Sequence, residues 1–228
     1  MANFSALQTE AEALVEIWGY GNTAYPPVWA AEVNQAYYDI CWEADAIRGP
    51  EQSFLTVANQ VEYNLPAVIT GNANDWKLLL DCWYASAYRV HVVDEAYVRR
   101  YDPYYTLVSP TGQPWVCWMP RPNTLRFYPP TANAGDTVTI YGIQSPSPLV
   151  NPTDLPVIEA AYHEGIAERA AFYVAKRYAK SADQMAALQE RQAIMTDYMQ
   201  RLKMHVGQLT WPKMLRFTYP PTVERTLV

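Results

Sequence analysis

Thr137-Val-Thr-Ile-Tyr141 alternates polar and apolar side chains without a break. A period of two puts one set of side chains on a core and the other toward solvent, as in a half-exposed strand. Working outward from it, six more short runs share its β-rich makeup: Phe54–Val57, Val61–Leu65, Trp76–Trp83, Tyr88–Val93, Trp115–Trp118 and Leu125–Tyr128. Pro, Gly and Asn separate them, and runs of this length with such breakers predict an antiparallel sheet or small sandwich over residues 51–150. Most of the 18 prolines lie in or after this part, against 9 glycines in the whole chain. Prolines in connections limit unfolded-state freedom, so a stiff domain is expected.

On either side the period changes to that of a helix. Ser5-Ala-Leu-Gln8 has the spacing of a capping box, and Leu7, Ala11, Leu14, Val15 and Trp18 then share a face until Gly19 and Gly21. A second helix is expected from about Val28 to Ile47. There Val33, Tyr37, Ile40, Ala44 and Ile47 oppose Glu32, Gln35, Asp39 and Glu43, and Gly49-Pro50 ends it. Two amphipathic helices with a short connection predict a hairpin. After the sheet, Thr153 or Asp154 is expected to cap a third helix with Pro156 in its first turn. Its stripe is Ile158, Tyr162, Ile166, Ala170 and Tyr173. Ser181-Ala-Asp-Gln184 forms a second capping box that predicts a break, after which Leu188, Met195, Met199 and Leu202 resume the stripe. Gly207 is expected to close the helical part.

The fold class is therefore α+β. A helical bundle built from an N-terminal hairpin (1–50) and long C-terminal helices (151–207) carries an inserted antiparallel β domain (51–150). An extended C-terminal arm (208–228) follows. The arm holds Trp211, Phe217, Tyr219 and three prolines, and solvated tails are usually poor in aromatics. It is expected to dock, with Trp211, Lys213, Arg216, Phe217, Tyr219 and Arg225 as its contact residues.

Composition points the same way. Of 228 residues 50% are hydrophobic, only 18% are charged and 14% are aromatic. Soluble proteins average about 25% charged residues, and amphipathic aromatics beyond core needs are enriched at interfaces. The chain reads as one completed by partners. Its net charge of −6 is uneven. Residues 1–50 carry seven acids against Arg48, whereas 208–228 carry Lys213, Arg216 and Arg225 against Glu224. The clustered cations that hold duplex phosphates are lacking. No run of about 18 apolar residues suggests a membrane span, and the first residues lack the pattern of a secretory signal. Cys41, Cys82 and Cys117 match no zinc or redox spacing and are expected to be reduced and buried, in keeping with synthesis in a reducing cytosol.

The search for chemistry is short. There is no G-x-S-x-G elbow and no glycine-rich phosphate loop. His91, His163 and His205 are scattered; His163 is expected to be structural or solvated, and His91 an exposed strand residue. Asp94 is expected to cap a short helix over 95–101 that ends at Asp102-Pro103, rather than to pair with Glu95 as a glycosidase dyad. No catalytic residue, cofactor or metal is expected. Trp76, Trp83, Trp115 and Trp118 are candidates for subunit or tail contacts, with a sugar-stacking platform as the alternative from another functional class.

The order of several features resembles a known family. Val61-Glu-Tyr-Asn-Leu-Pro66 begins a strand, and Gly112-Gln-Pro-Trp-Val-Cys-Trp118, Leu125-Arg-Phe-Tyr-Pro-Pro130 and Thr137-Val-Thr-Ile-Tyr-Gly142 follow. Leu155-Pro-Val-Ile-Glu-Ala-Ala-Tyr-His-Glu-Gly-Ile166 then opens a long helix. Over roughly residues 28–205 this order is similar to the head-to-tail adaptor (connector) proteins of tailed bacteriophages. A tubular tail component of short-tailed phages is a near alternative. The resemblance implies a non-enzymatic virion protein of the neck, made in the bacterial host. It also implies a homo-oligomeric ring of twelve copies joined to the portal protein and to tail or nozzle proteins. Viral double-stranded DNA would pass through the centre without sequence-specific binding, and no membrane is involved. Glu32, Asp39 and Glu43 are the candidate channel-facing acids.

Overall fold

The computed structural model describes residues 2–20, 28–69, 74–106, 111–179 and 181–214, with the backbone alone described over 208–214. Six α-helices and seven strands alternate irregularly along it. Helices α1 (Phe4–Ile17) and α2 (Trp29–Ala44) come first. Strands β1 (Gln52–Leu55) and β2 (Glu62–Asn64) lead to the one-turn helix α3 (Leu65–Val68). The hairpin β3 (Trp76–Tyr84) and β4 (Tyr88–Val92) is followed by α4 (Glu95–Tyr101). Next come β5 (Val116–Arg121), β6 (Thr124–Tyr128) and β7 (Thr137–Gln144), and finally α5 (His163–Tyr178) and α6 (Ala182–Met214). All seven strands fall within or close to the runs marked by their β-rich pattern.

The strands form one sheet in the order β1-β7-β3-β4-β5-β6-β2. The sheet curls until its two end strands share a core: the rings of Phe54 on β1 and Tyr63 on β2 stand 5.1 Å apart. Tyr63, Leu65, Trp76, Leu125 and Phe127 fill the inside. One expectation is corrected here. The sheet is not wholly antiparallel, because β4 and β5 pair in parallel. The connection between them carries α4, and a crossover of that length can return the chain to the starting end of the sheet, as a parallel pair requires. Asp94 caps α4 as expected, accepting from the Tyr97 amide at 2.6 Å. This helix packs on the outer face of β5 and β6 through Val98, Trp118 and Tyr128.

The helices form a second core around α5. Gly165, Ala167, Ala170, Ala171 and Ala175 are buried along it, and these small side chains let α1, α2 and α6 approach closely. The apolar stripes of α1 and α2 point inward as expected, although α1 packs chiefly on α5. Two starts differ. Asn3, not Ser5, caps α1, its side-chain oxygen accepting from the Ala6 amide at 2.9 Å. Residues 153–159 are not helical; a 3₁₀ turn at Ala160–Tyr162 precedes α5. Asp154 turns back to take the amides of Val150 and Asn151 at 2.7 Å each. Asn34 and the Tyr37 hydroxyl hold Leu149 and Val157 by their amides, at 2.7 and 2.8 Å. Helix α2 stops at Ala44, where Asp45 takes a left-handed conformation. The break before α6 is capped reciprocally: Gln184 donates to Ser181 Oγ, and its side chain accepts from the Ser181 amide, both at 3.2 Å. Gly207 does not close the helix, which runs on to Met214.

Sheet and helices meet where the chain enters and leaves the sheet. The Gly49 amide donates to the Gly142 carbonyl and the Gln144 amide to the Ile47 carbonyl, both at 3.0 Å. A Cβ on Gly49 would meet the Gln144 amide group, which would have to move aside. Lys77 on β3 pairs with Asp45 at 2.7 Å.

Candidate contact surfaces

The three candidate channel acids lie on one face of α2, and the structure engages all of them with α5. Glu32 is buried and paired with Arg177; the second guanidinium nitrogen lies 3.0 Å from its carboxylate. Tyr173 donates to Asp39 at 2.6 Å and accepts from Arg169 Nε at 2.7 Å, while Arg169 also pairs with Glu43. Burial, then the bond to Asp39, pushes the Tyr173 hydroxyl up to about 12. It therefore remains a donor across the neutral range. The antiparallel order of partners (32 with 177, 39 with 173, 43 with 169) acts as a zipper between the two helices. Glu32, placed by its spacing on the polar face of α2, is buried there, with only 9% of its side chain exposed.

The four candidate tryptophans separate into two pairs. Trp76 and Trp118 are inside the protomer, at 0% and 1% exposure. They are not available for contacts, and Trp118 meets Tyr105 edge-on at 5.7 Å. Trp115 is half-buried and stands edge-on to Tyr101 and Tyr128, at 4.9 and 6.0 Å. Trp83 is 40% exposed on the outward face of β3. Its indole N–H donates to Asp81 at 3.3 Å, and Arg89 holds the same carboxylate at 3.0 Å. The turn beyond it places Ala85 and Ser86 at φ 52° and 55°, a strained conformation for side-chain-bearing residues. The β3–β4 turn thus carries an aromatic on its flank.

Further exposed apolar residues gather elsewhere. Leu55, Val57 and Val61 flank the connection from β1 to β2, and Val150, Leu155 and Val157 lie on the return to α5. Tyr104 projects beside α4 at 68% exposure. Of the arm residues, Trp211 and Lys213 fall on the last turn of α6, of which only the backbone is described. Arg216, Phe217, Tyr219 and Arg225 lie outside the described residues.

One contact was not visible to sequence reasoning. Helix α6 crosses α5 at Gly165, where a Cβ would fall inside the Tyr198 ring. Tyr198 donates to the Tyr162 carbonyl and packs edge-on to the Tyr162 ring at 5.7 Å. Burial raises the Tyr198 hydroxyl well above the ordinary tyrosine value, so it stays protonated as that donor. Two turns on, His205 reaches Glu159 at 2.8 Å. A glycine inside an alanine-rich helix was the only signal available for this crossing.

Reactive chemistry finds little support. Burial pushes the Cys41 thiol up, and burial followed by the neighbouring Cys82 does the same for Cys117, which removes their thiolate character. His163 is buried, with its ring nitrogens 3.1 and 3.0 Å from the carbonyl oxygens of Ala2 and Ile158. It ties the N-terminus to the start of α5. His91 is exposed on β4. Among the described residues no cluster of three or more His, Cys, Asp or Glu is arranged to hold a metal ion. Among them, too, no helix is long and apolar enough to cross a membrane.

Residues 2–213 match the family described as SU10 adaptor protein. Comparison with curated proteins finds no match.

Proposed function

Because this chain belongs to the SU10 adaptor protein family, a phage head-to-tail adaptor family, we propose that it is a non-enzymatic neck protein. In this reading it forms a ring of twelve copies that joins the portal to tail or nozzle proteins around the DNA passage. The observation that carries the reading is the family match over nearly the whole chain, from the second residue to the end of α6.

Physical features support it. A curled sheet closed over its own core and stiffened by proline-bearing connections is a rigid spacer, suited to transmitting position from one ring to the next. Helix α6 has 33 residues against 16 in α5. At about 1.5 Å per residue it is roughly 50 Å long, so it overshoots the helices it packs on. Its far end and residues 208–228, with Trp211, Lys213, Arg216, Phe217, Tyr219 and Arg225, form a partner-binding arm directed at the portal. Trp83 and the half-buried Trp115 lie on surfaces proposed for copy-to-copy or tail contact. On a channel wall, Asp39 and Glu43 would present carboxylates already bonded to α5, with their cations neutralised, and duplex phosphates would slide past; the buried Glu32 would brace the wall from behind.

The test is genetic. Loss of this protein is expected to leave DNA-filled heads without tails, restored by the intact gene supplied in trans. Normal tailed, infectious particles in its absence would overturn the reading.

A further inference from the structure

Strand β6 and the segment that follows it recur near the C-terminus. Leu125-Arg-Phe-Tyr-Pro-Pro-Thr131 reappears as Leu215-Arg-Phe-Thr-Tyr-Pro-Pro-Thr222, interrupted only by Thr218, and a proline stands three residues before each leucine (Pro122 and Pro212). In the first copy every side chain of known placement has work in the sheet. Leu125 and Phe127 are buried in its core, at 0% and 1% exposure. Arg126 pairs with Glu62 on β2. The Tyr128 hydroxyl donates to Asp102 at 2.7 Å, and Thr131 donates to the Val57 carbonyl at 3.1 Å. The second copy keeps the alternation of Leu and Phe, and its extra Thr218 brings Tyr219 onto the face of Leu215 and Phe217.

The place of β6 is already filled, between β5 and β2. What the sheet leaves open is the seam between its two ends along β1 (Gln52–Leu55); just beyond it the Tyr63 hydroxyl accepts from the Val57 amide at 3.2 Å and donates to its carbonyl at 3.1 Å. β1 pairs with β7 and β2 with β6, and no ladder joins β1 to β2 although both cover the same core. An unpaired edge offers a row of backbone donors and acceptors. This one is flanked by Leu55, Val57 and Val61, which are 62%, 53% and 45% exposed. Glu51 and Glu62 border it, Glu62 already paired with Arg126 and Glu51 in no ion pair among the described residues, whereas the last 21 residues carry Lys213, Arg216 and Arg225 against Glu224. Shape, period and charge are complementary.

We propose that residues 215–222 of one copy add as a strand along the free edge of β1 in a neighbouring copy. Leu215, Phe217 and Tyr219 then face the seam, and Arg216 lies near its acids. This rests on the reading of the C-terminal segment as a partner-binding arm and assigns its part after α6 to a neighbouring copy, leaving Trp211 and Lys213 on α6 for the portal. Main-chain pairing supplies the affinity and alternate side chains the specificity, as in other strand-addition contacts.

Cysteine cross-linking of the full-length protein tests it. One tagged copy carries Leu55→Cys and a differently tagged copy carries Thr218→Cys; both are co-expressed and oxidised, in assembled particles and in concentrated solution. Cys41, Cys82 and Cys117 are all 0% exposed and stay silent. The expected result is a disulfide between the two tagged chains. Its yield should exceed that of a Val150→Cys and Thr218→Cys control by about tenfold, since docking raises the local concentration. The yield should collapse when Phe217→Asp is added to the Thr218→Cys copy. Equal yield with the control, survival of the product with Phe217→Asp, or its absence from both samples overturns the proposal. The adaptor reading is judged separately, by whether heads acquire tails.

Discussion

Replacing Gly165 by alanine sets two known effects against each other. In a helix interior alanine is favoured over glycine by about 1 kcal/mol, so α5 considered alone would gain. The structure predicts the reverse. The added Cβ would sit inside the Tyr198 ring, and that ring is held by its bond to the Tyr162 carbonyl and by edge contact with Tyr162. Overpacking of this kind typically costs about 1–3 kcal/mol, and moving the ring away also forfeits a buried hydrogen bond of about 0.5–1.5 kcal/mol. Set against the helix gain, the net expectation is a loss of about 1–3 kcal/mol. Urea unfolding followed by circular dichroism measures it directly. In a thermal melt each kcal/mol lowers the midpoint by about 2–4 °C for a chain of this size. Adding Tyr198→Leu to Gly165→Ala should recover most of the loss, giving a coupling energy within the range of about 0.5–3 kcal/mol seen for contacting residues. A Gly165→Ala protein that is more stable than the parent by about 1 kcal/mol would refute the reasoning, because the ring would then be free to move aside.

Three further outcomes follow from the same geometry. Arg177→Met leaves the buried Glu32 carboxylate without its cation and should cost about 1–3 kcal/mol in urea unfolding; adding Glu32→Gln should restore much of it, because both charges are then gone. Burial first, then Glu164 one turn earlier, raises the Glu168 carboxyl pKa above its ordinary value, with Arg191 opposing. The folded state therefore holds this proton more tightly than the unfolded chain, and the associated stability, present at low pH, is lost as pH rises through the folded-state pKa. Glu168→Gln should accordingly stabilise the protein at neutral pH, by about 0.2–0.5 kcal/mol for relief of a like-charge i,i+4 pair, and the advantage should vanish near pH 4. Trp118→Ala should cost about 3–5 kcal/mol as a core truncation, whereas Trp83→Ala should stay within about 0.5 kcal/mol of the parent in unfolding and, under the proposed copy-to-copy contact, show its effect in sedimentation.

What was legible in the sequence was what is local. The alternation Thr137–Tyr141 and its six companions located the seven strands, because a half-buried strand leaves its period in the chain. Asp94 and Ser181 announced their caps for the same reason: the groups they bond lie three residues away. What long-range contact decides was hidden. Asn34 and Tyr37 hold the return segment at Leu149 and Val157 open, so α5 begins at His163 and not near Thr153. Trp76 and Trp118 read as surplus surface aromatics until the curling of the sheet placed one inside it and α4 covered the other. Glu32 resembled its solvated neighbours on α2, and only the partner at Arg177, 145 residues on, accounts for its burial. The acids were seen as a group, and their pairing with α5 was not.

The central claim is that this chain is the protein between portal and tail. Electron microscopy of the virion neck tests it most directly. The account predicts a ring at that position into which this α+β protomer fits. A neck whose density is fully occupied by other proteins, with this chain absent from the purified particle, would contradict it.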